Sequence, residues 1–480
     1  MATATWIGAT STDYGDIHNW VSGFVPRDPD SATFGTTTGF TDVTVAADAT
    51  GLVDPDGITR VLAWRFTGGT YNISIVAITS QATFRFTGAG VQVTGGSARI
   101  EVGVHAKLQF AGPSDGGTAA YVLNPDSLLE FDGTGPNGDN IVHLGSLAGD
   151  SSSDVELNDQ KLIIGGNNLS STYAGSISTL LGGDALIKVG TGRLTWSGDF
   201  SAFSDAITIA GGTFDLDTAS PVTGGFVFGA NPAETLSIEN VALPGNGFAP
   251  TISGLGAGDA IDLPGLPFVP GATTTGFGLV TNGTTTIHFS SVSVAGANDE
   301  ALALGDDHGG TRVMLGILGT AGKDRIDATH RPAGQVSSSN RPDLILGLGG
   351  NDKLKGLGGS DTLVGGAGKD LLYGGPGADT FVYQQLSDST PGHPDIIEDF
   401  KHAQHDKIDL FDLFHAANHV ALRFIGAETF HQFQHTHHGV LGMVRYAGGE
   451  VQVNVNANLA PDLAIAMNGA PALHAGDFIL

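Results

Sequence analysis

The sequence predicts an all-β protein in which a right-handed parallel β-helix (a solenoid) is followed by a parallel β-roll and a small C-terminal cap. Helical periodicity is almost absent before residue 400, where short β-branched or aromatic runs alternate with Gly, Asn, Asp, Ser and Thr turns. Glycine, aspartate and a large apolar residue then recur every nine positions between residues 338 and 382. We therefore expect a β-helix over residues 1–310, a β-roll over 311–385 and a cap over 386–480.

The β-helix is predicted from the length of the apolar runs, which are three or four residues long, and from the scarcity of long hairpin partners. Examples are Lys161–Ile164, Ala185–Lys188, Arg193–Trp196 and residues 206–209. Strands this short favour a solenoid, in which each coil buries its inward side chains on the next coil. A glycine-rich β-sandwich remains the alternative.

Two stretches of the first 300 residues resemble bacterial surface proteins. Trp6-Ile-Gly8, followed by Asn19-Trp20, resembles the start of surface β-helix proteins, in which the two tryptophans would cover the open end of the solenoid. Residues 182–198, leading into 207–214, are similar to the passenger repeat of autotransporters. These resemblances imply the fold and carry almost no information on activity.

Composition limits the classes of function. Acidic residues outnumber Lys and Arg by 49 to 21, giving a net charge of -28, which argues against nucleic-acid binding and suits a protein that handles cations. The absence of cysteine excludes disulfides and thiolate metal sites. The N-terminal residues lack a basic and apolar leader, and no run reaches the roughly 18 apolar residues of a membrane helix. We expect export by a non-Sec route and no membrane span.

The nine-residue repeat supplies the candidate metal ligands. Gly347-Leu-Gly-Gly350-Asn-Asp352-Lys-Leu354-Lys opens four consecutive copies, and a degenerate copy precedes them. An outlying copy with Asp324 is one residue out of phase, which makes Asp324 a weaker candidate. The candidates are the repeated aspartates and glycines Asp343, Gly347, Gly350, Asp352, Gly356, Gly359, Asp361, Gly365, Gly368, Asp370, Gly374, Gly377 and Asp379.

The spacing has a physical consequence for the aspartates. Each repeat consists of a six-residue turn and a three-residue strand, and two repeats complete one coil. Asp352 is then expected to stack on Asp370, and Asp361 to lie between Asp343 and Asp379. Adjacent strands are ~4.8 Å apart, so each carboxylate pair would repel by ~3.5 kcal/mol at an effective dielectric constant of 20. A hard dication removes this penalty, and carboxylate and carbonyl oxygens are the ligands that Ca²⁺ prefers.

These repeats resemble the GGxGxDxUx repeat of the RTX (hemolysin-type calcium-binding) family. Asp395-Ile-Ile-Glu-Asp399-Phe400, followed by Asp406-Lys-Ile-Asp409, is similar to the segment that caps the roll in serralysin-type proteins. The resemblance implies Ca²⁺ bound by the aspartates and by backbone carbonyls. It also implies a type I (ABC) exporter as partner, which would read Asp477-Phe-Ile-Leu480, and folding in external calcium. The protease motif HExxH of serralysins does not occur, so protease activity is not implied.

The leading functional prediction is a secreted or cell-surface calcium-binding protein, non-catalytic, with an adhesion, biofilm or matrix role and a polysaccharide or cell-surface partner. The alternative is an extracellular polysaccharide lyase or epimerase on the β-helix. Its base and carboxylate-binding residues would come from Asp154, Asp159, Lys161, Asp184, Lys188, Arg193 and Asp199. Histidines cluster at 402–419 and at His431–His438, where they form either a Zn²⁺ or Ni²⁺ site or a polar surface.

Overall fold

The structure is a computed structural model. It describes the chain except residues 1–2, 37–40, 47–53, 57, 78–81, 180–182, 232, 270–272, 276–278, 283, 295–299, 307, 334, 336, 416–421, 437–441 and 457. The chain is nearly all β, as predicted. Contacts divide it into two compact units, Met1–Pro244 with Ala249–Ser253, and Gly245–Phe248 with Gly254–Leu480. The predicted boundaries after residues 310 and 385 remain predictions. In the described part, no helix is both long and apolar enough to span a bilayer.

The first unit consists of short strands and two longer ones of 19 and 20 residues, and the last strand belongs to it only over residues 249–253. They are β1 (Thr3–Trp6), β2 (Ser31–Phe34), β3 (Asp42–Ala46), β4 (Ile58–Val76), β5 (Thr83–Val102), β6 (Lys107–Gly112), β7 (Ala120–Leu123), β8 (Leu128–Gly133), β9 (Ile141–Leu144), β10 (Ser146–Gly149), β11 (Asp154–Leu157), β12 (Lys161–Ile164), β13 (Ser171–Tyr173), β14 (Ser176–Thr179), β15 (Ala185–Lys188), β16 (Arg193–Trp196), β17 (Ile207–Ile209), β18 (Thr213–Leu216), β19 (Phe226–Phe228), β20 (Thr235–Ile238) and β21 (Gly247–Leu255). Short 3-10 helices cover Ile17–Asn19, Asn240–Ala242 and Pro244–Asn246. Three of the four strands predicted above have the observed bounds, and the fourth begins at Ile207.

These strands form parallel ladders that run from coil to coil. A typical coil contains three strands, such as β7, β8 and β9, and each pairs in parallel with its counterpart in the next coil, β10, β11 and β12. Inward residues stack in register along the ladders, for example Val142, Leu162 and Leu186, all at most 1% exposed. The predicted parallel β-helix is therefore confirmed, because each coil buries its apolar residues on the coil before it.

Glycine pairs let the longest strands turn a corner of the coil. The first half of β4 pairs with β2 and its second half pairs with β3, so β4 changes face near Gly68 and Gly69. In β5, Gly95 and Gly96 take the equivalent place. A Cβ on Gly96 would lie 1.9 Å from the carbonyl oxygen of Gly69. Only glycine permits this close approach of the two backbones.

An aromatic cluster occupies the first coil. The rings of Trp6 and Trp20 meet edge-on with centroids 5.1 Å apart, and Tyr14 packs on Trp20 at 4.9 Å. Both tryptophans are at most 2% exposed. The packing of the two tryptophans is consistent with the cover that the sequence resemblance implied.

Lys188 is buried inside the first unit rather than lying on its surface. Its side chain is 1% exposed, and Nζ donates to the carbonyl oxygens of Val189, Gly190 and Gly211 at 2.7, 3.1 and 3.0 Å. Gly211 belongs to the following coil, so the ammonium group ties two coils together. Burial lowers the pKa of Lys188 to about 8. Lys188 is a candidate for the alternative lyase or epimerase site, and its amine is enclosed by backbone carbonyls.

We expect Lys188→Met to destabilise the first unit by about 2–4 kcal/mol, because three buried carbonyls lose their donor. All four tryptophans lie in this unit, so urea unfolding followed by Trp fluorescence measures its stability alone. The exposed Lys161→Met is the matched control and should change the free energy of unfolding by less than about 0.5 kcal/mol. Equal effects of the two substitutions would contradict a structural role for the Lys188 ammonium.

The second unit contains shorter strands and two short α-helices. The strands are β22 (Ala260–Leu263), β23 (Thr273–Thr275), β24 (Leu279–Thr281), β25 (Thr286–Val294), β26 (Glu300–Gly305), β27 (Thr311–Leu318), β28 (Arg325–Ile326), β29 (Leu344–Leu346), β30 (Gly349–Gly350), β31 (Lys353–Lys355), β32 (Thr362–Val364), β33 (Ala367–Gly368), β34 (Leu371–Tyr373), β35 (Thr380–Val382), β36 (Asp395–Ile397), β37 (Lys407–Asp409), β38 (Arg423–Phe424), β39 (Met443–Ala447), β40 (Glu450–Asn454), β41 (Leu463–Met467) and β42 (Phe478–Ile479). The helices are α1 (Asp412–His415) and α2 (Phe430–Thr436). Single 3-10 turns cover His402–Gln404 and Ala475–Asp477.

Two parallel ladders build the β-roll. One runs β27, β29, β32, β35, β37 and β42, and the other runs β28, β31, β34, β36 and β41. Leu344 pairs with Thr362 and Lys353 pairs with Leu371, an offset of two nonapeptides that matches the predicted coil. The apolar residue of each repeat points inward and is fully buried, as Leu354, Leu363 and Leu372 show. The ladders continue into the predicted cap, whose strands pair directly with the roll.

The two outer faces of the roll differ. The face of the first ladder is covered by the hairpin β26–β27, because Leu302 and Leu304 pack against Leu344, Val364 and Val382. The outward residues of the second ladder are mostly polar. Because two repeats complete a coil, alternate repeats stack on the same ladder. The two ladders therefore present two surfaces of different chemistry.

Candidate metal centre

The repeated aspartates form two columns beside the strand ladders. In the first column, the backbone N–H of each aspartate donates to Oδ1 of the next: Asp343 to Asp361, Asp361 to Asp379, and Asp379 to Asp406, at 2.9, 2.9 and 3.1 Å. The carboxylate of each repeat thus binds the backbone of the repeat one coil earlier. The predicted stacking of Asp361 between Asp343 and Asp379 is observed.

The second column has the same pattern. Asp324 donates to Asp352, Asp352 to Asp370, and Asp370 to Asp395, at 2.7, 2.7 and 2.8 Å. Asp324 therefore belongs to the column although its copy is out of phase. The ten-residue segment 328–337 lies between its nonapeptide and the next, and the offset between Asp324 and Asp352 becomes 28.

In five of these side chains, the other carboxylate oxygen has no hydrogen-bond partner. Among the described residues, Oδ2 is buried without a hydrogen-bond partner in Asp352, Asp361, Asp370, Asp379 and Asp395. Each of these residues is at most 2% exposed. An ionised carboxylate buried without compensation costs several kcal/mol, so each must be protonated or be paired with a cation.

Burial shifts the titration of these groups strongly. Burial, opposed by the backbone hydrogen bond and assisted by neighbouring carboxylates, raises the pKa of Asp352 to about 7 and that of Asp361 to about 8. The pKa of Asp370 and that of Asp379 rise to about 6 for the same reason. The pKa of Asp395 reaches about 9, where burial is again the main cause and Asp370 adds repulsion. At neutral pH, Asp352, Asp361 and Asp395 therefore resist ionisation unless positive charge is supplied.

The first glycine of each repeat makes room for this carboxylate. A Cβ on Gly356 would lie 2.1 Å from Oδ2 of Asp361, and a Cβ on Gly374 would lie 2.3 Å from Oδ2 of Asp379. Gly347 and Gly365 show the same approach. Each aspartate folds back over its own turn, so a side chain at the first position would displace the orphaned oxygen.

The fourth glycine lets successive turns stack. A Cβ on Gly368 would lie 1.5 Å from the carbonyl oxygen of Gly350, and Gly377 approaches Gly359 in the same way, at 1.6 Å. At the second position, Leu348 and Leu357 replace the usual glycine and have φ of 71° and 85°. A left-handed backbone costs about 1–2 kcal/mol for a residue with a Cβ. The turns that carry these leucines are thus strained.

The donor set of the turns fits a hard cation. Buried carboxylate oxygens lie beside glycine turns whose carbonyl oxygens come close to the next turn. In the described ranges, no three His, Cys, Asp or Glu side chains converge at metal-binding geometry. Carbonyl oxygens of such turns are ligands that Ca²⁺ commonly takes and zinc does not.

Sequence reasoning undervalued two members of the columns. From the sequence, Asp395 and Asp406 belong only to a segment similar to the cap of serralysin-type proteins, whereas in the structure they receive the N–H groups of Asp370 and Asp379. A signal was present, because each is followed two positions later by a buried isoleucine, Ile397 or Ile408, as in the repeats. Loops of unequal length had removed the nine-residue phase.

The other candidate residues lie on several elements of the described chain. His402 pairs through Nδ1 with Asp477 at 2.5 Å. His419, His437 and His438 lie outside the described residues, so the histidine cluster remains a prediction. Asp154 lies on β11 and Lys161 begins β12, which belong to different ladders of the β-helix. Arg193 contacts Asp215 at 3.3 Å, which is a residue that the sequence had not suggested.

Comparison with known proteins concerns the second unit. Residues 312–480 match the family described as Peptidase M10 serralysin C terminal. The match covers about a third of the chain and includes every aspartate of the two columns. No curated protein matches the chain significantly. This part of the chain is thus similar to a serralysin C-terminal domain, which supports an RTX-type module.

Proposed function

We propose that the chain is a secreted calcium-binding protein whose β-roll folds when Ca²⁺ neutralises the two aspartate columns. The observation that carries this proposal is the set of buried Oδ2 atoms without partners. Asp343, Asp352, Asp361, Asp370 and Asp379 would supply carboxylate oxygens, and the glycine turns would supply carbonyl oxygens. We add Asp324, Asp395 and Asp406 as members of the same columns. Bound Ca²⁺ supplies the positive charge that the ionised columns lack.

Export by a type I (ABC) exporter follows from the same chemistry. Where calcium is scarce, as in the cytosol, the ionised columns oppose folding and leave the roll in a transportable state. External calcium at millimolar concentration suits extracellular modules, which bind with Kd of about 10⁻⁴–10⁻³ M. The similarity of residues 312–480 to a serralysin C-terminal domain supports this route. The protein would act outside the cell or at the cell surface.

Outside the cell, we expect the β-helix unit to serve as a non-catalytic scaffold with an adhesion, biofilm or matrix role. Several of the charged residues suggested for a lyase or epimerase support this, because they lie apart or are enclosed. Asp154 and Lys161 lie on different ladders, and the ammonium of Lys188 is enclosed by carbonyls. A polysaccharide lyase would instead release unsaturated sugar, which is detected by its ultraviolet absorbance.

The proposal is tested by adding calcium to the chelated full-length protein. At 10 mM Ca²⁺, about 10–100 times the expected Kd, each occupied site should stabilise the roll by about 1.4–2.7 kcal/mol. We expect far-ultraviolet circular dichroism to gain β signal and a second thermal transition to appear or to rise by more than about 10 °C. Mg²⁺ at the same concentration should have little effect, since it favours a rigid octahedral site.

Tryptophan fluorescence is the internal control in this experiment. All four tryptophans lie in the first unit, so their thermal transition should be the same with and without calcium. A roll that is fully ordered in chelator at pH 8 and insensitive to added calcium would rule the proposal out. A shift of the tryptophan transition alone would place calcium in the wrong unit.

A further inference from the structure

The open face of the β-roll carries a cluster of positive charge in a strongly acidic chain. Three nonapeptides supply the second ladder, residues 319–327, 347–355 and 365–373, and cations hold five of their nine fifth, seventh and ninth positions, where side chains point outward. The cluster, here called the basic face, consists of Lys323, Arg325, Lys353, Lys355 and Lys369 with Tyr373. Arg325 is in register with Lys353, and Lys355 is in register with Tyr373. The sign of the local charge is thus opposite to the net charge of -28.

The other ladder shows that this placement is selective. Its three repeats, residues 338–346, 356–364 and 374–382, carry no charged side chain at the same positions. Those positions are held by Pro342, Ser360, Ala378, Leu344, Thr362, Thr380, Leu346, Val364 and Val382. That face is covered by the hairpin β26–β27. The cations are therefore confined to the surface that the hairpin leaves open. General solubility would not require such segregation, because the chain is already far from neutral.

The basic face has a shape as well as a charge. A depression of about 370 Å³ is lined by Lys323, Asp324, Arg325, Asn351, Asp352, Lys353, Lys369 and Leu371. This volume lies near the lower end of the roughly 300–1,000 Å³ of small-ligand sites. Asp352 presents a buried carboxylate, so the side chains that reach the opening are mostly cationic. The depression accommodates a short anionic segment.

Two of the cations lie over the aromatic ring of Tyr373. The Nζ atoms of Lys353 and Lys355 lie 4.9 and 4.8 Å from the centroid of its ring. Attraction to the π-face of the ring offsets the repulsion between the two ammonium groups. The acids on neighbouring turns are already engaged, because Asp327 pairs with Arg325 at 2.7 Å and Asp324 accepts from Thr320. The lysines of the basic face are left available to an anion.

We propose that the basic face binds a short segment of an acidic polysaccharide through its uronate carboxylates. Sparse charge on a sugar chain matches a single depression that is lined by three lysines and an arginine. Nucleic acid fits less well, since its dense phosphates would meet the acidic remainder of the chain. The Tyr373 ring is also covered by ammonium groups, so it offers no platform for stacking a base. The inference rests on the proposed function, because calcium orders the turns that carry Lys323 and Lys369.

The test is calorimetric titration of the full-length protein in calcium with a galacturonate tetramer, too short to form a calcium gel. We expect binding that weakens as salt is raised, and no binding of a neutral galactose tetramer. The double variant Lys353→Ser, Lys355→Ser should weaken binding at least tenfold. The double variant Arg65→Ser, Lys161→Ser removes the same charge from exposed positions of the first unit and should bind as the parent protein does.

Circular dichroism of the same samples separates the two proposals. Loss of calcium-dependent folding would overturn the proposed function, and binding would then be measured on whichever calcium state is folded. A folded roll that binds no galacturonate, or that binds it equally after loss of Lys353 and Lys355, would overturn the inference. Tighter, salt-sensitive binding of single-stranded DNA at the same lysines would replace the polysaccharide with nucleic acid.

Discussion

Gly368→Ala is expected to abolish calcium-dependent folding of the β-roll. The new Cβ would lie 1.5 Å from the carbonyl oxygen of Gly350, far inside any tolerated contact, and both atoms belong to rigid turn backbone. Relief requires the two turns to separate, which breaks the strand register on both sides and moves a carbonyl available to the ion. We expect a loss of at least about 4 kcal/mol, the range of severe core disruption.

A neighbouring glycine supplies the control for this prediction. A Cβ on Gly349 would meet nothing closer than the carbonyl oxygen of Ala367 at 3.7 Å, which is ordinary contact. Gly349→Ala should therefore keep the calcium midpoint within about twofold of the parent protein. Calcium titration by circular dichroism compares the variants, and Trp fluorescence shows that the first unit stays folded. Equal behaviour of the two variants would show that the turns do not stack as described.

The nonapeptide part of the roll was predictable because the spacing of its repeats is constant. Two repeats of nine give an offset of eighteen, which pairs Leu344 with Thr362 and stacks Asp361 on Asp379. A fixed spacing combined with one buried apolar residue per strand specifies the register completely. The same reasoning identified strands such as Lys161–Ile164, because short apolar runs between turns have few other uses.

The remainder of the site escaped prediction where the spacing changes. Asp370 stacks on Asp395 after 25 residues, and Asp379 stacks on Asp406 after 27. Longer loops add little closure entropy, so a ladder tolerates them without losing its register. The nine-residue spacing is therefore lost from the sequence, although the aspartates still stack in the structure. The burial of Lys188 was not predicted for a different reason, since a lysine is rarely buried and only the surrounding carbonyls reveal that it is.

The basic face can be recognised in the sequence once it is known that two repeats complete a coil. Reading the nonapeptides in order shows lysines that seem scattered, whereas reading alternate repeats shows them on one ladder. Knowledge that two repeats complete a coil is enough to make this separation. The covering hairpin β26–β27 could not be assigned in the same way, because its contacts with Val364 and Val382 depend on tertiary packing.

Without calcium, the β-roll is expected to become less stable as pH rises from 5 to 9. The folded-state pKa values of Asp352, Asp361 and Asp395 are raised to about 7, 8 and 9, from 3.8 for an ordinary aspartate. Such groups favour the folded state while they are protonated, and this stability is lost as pH passes through the raised values. The melting temperature of the chelated roll should therefore fall across this range, whereas calcium stabilisation should grow, because Ca²⁺ displaces the protons.

Asp361→Asn separates this explanation from a general effect of pH. The amide oxygen can still accept the N–H of Asp343, as Oδ1 does at 2.9 Å, but the side chain stays neutral at every pH. The calcium-free variant should melt at a higher temperature than the parent protein at pH 8, with a smaller slope against pH and a weaker response to calcium. Melting curves from circular dichroism between pH 5 and 9 provide the measurement. A flat or rising melting temperature for the calcium-free parent protein would mean that the buried carboxylates do not control folding, since their protonation is the only source of the predicted slope.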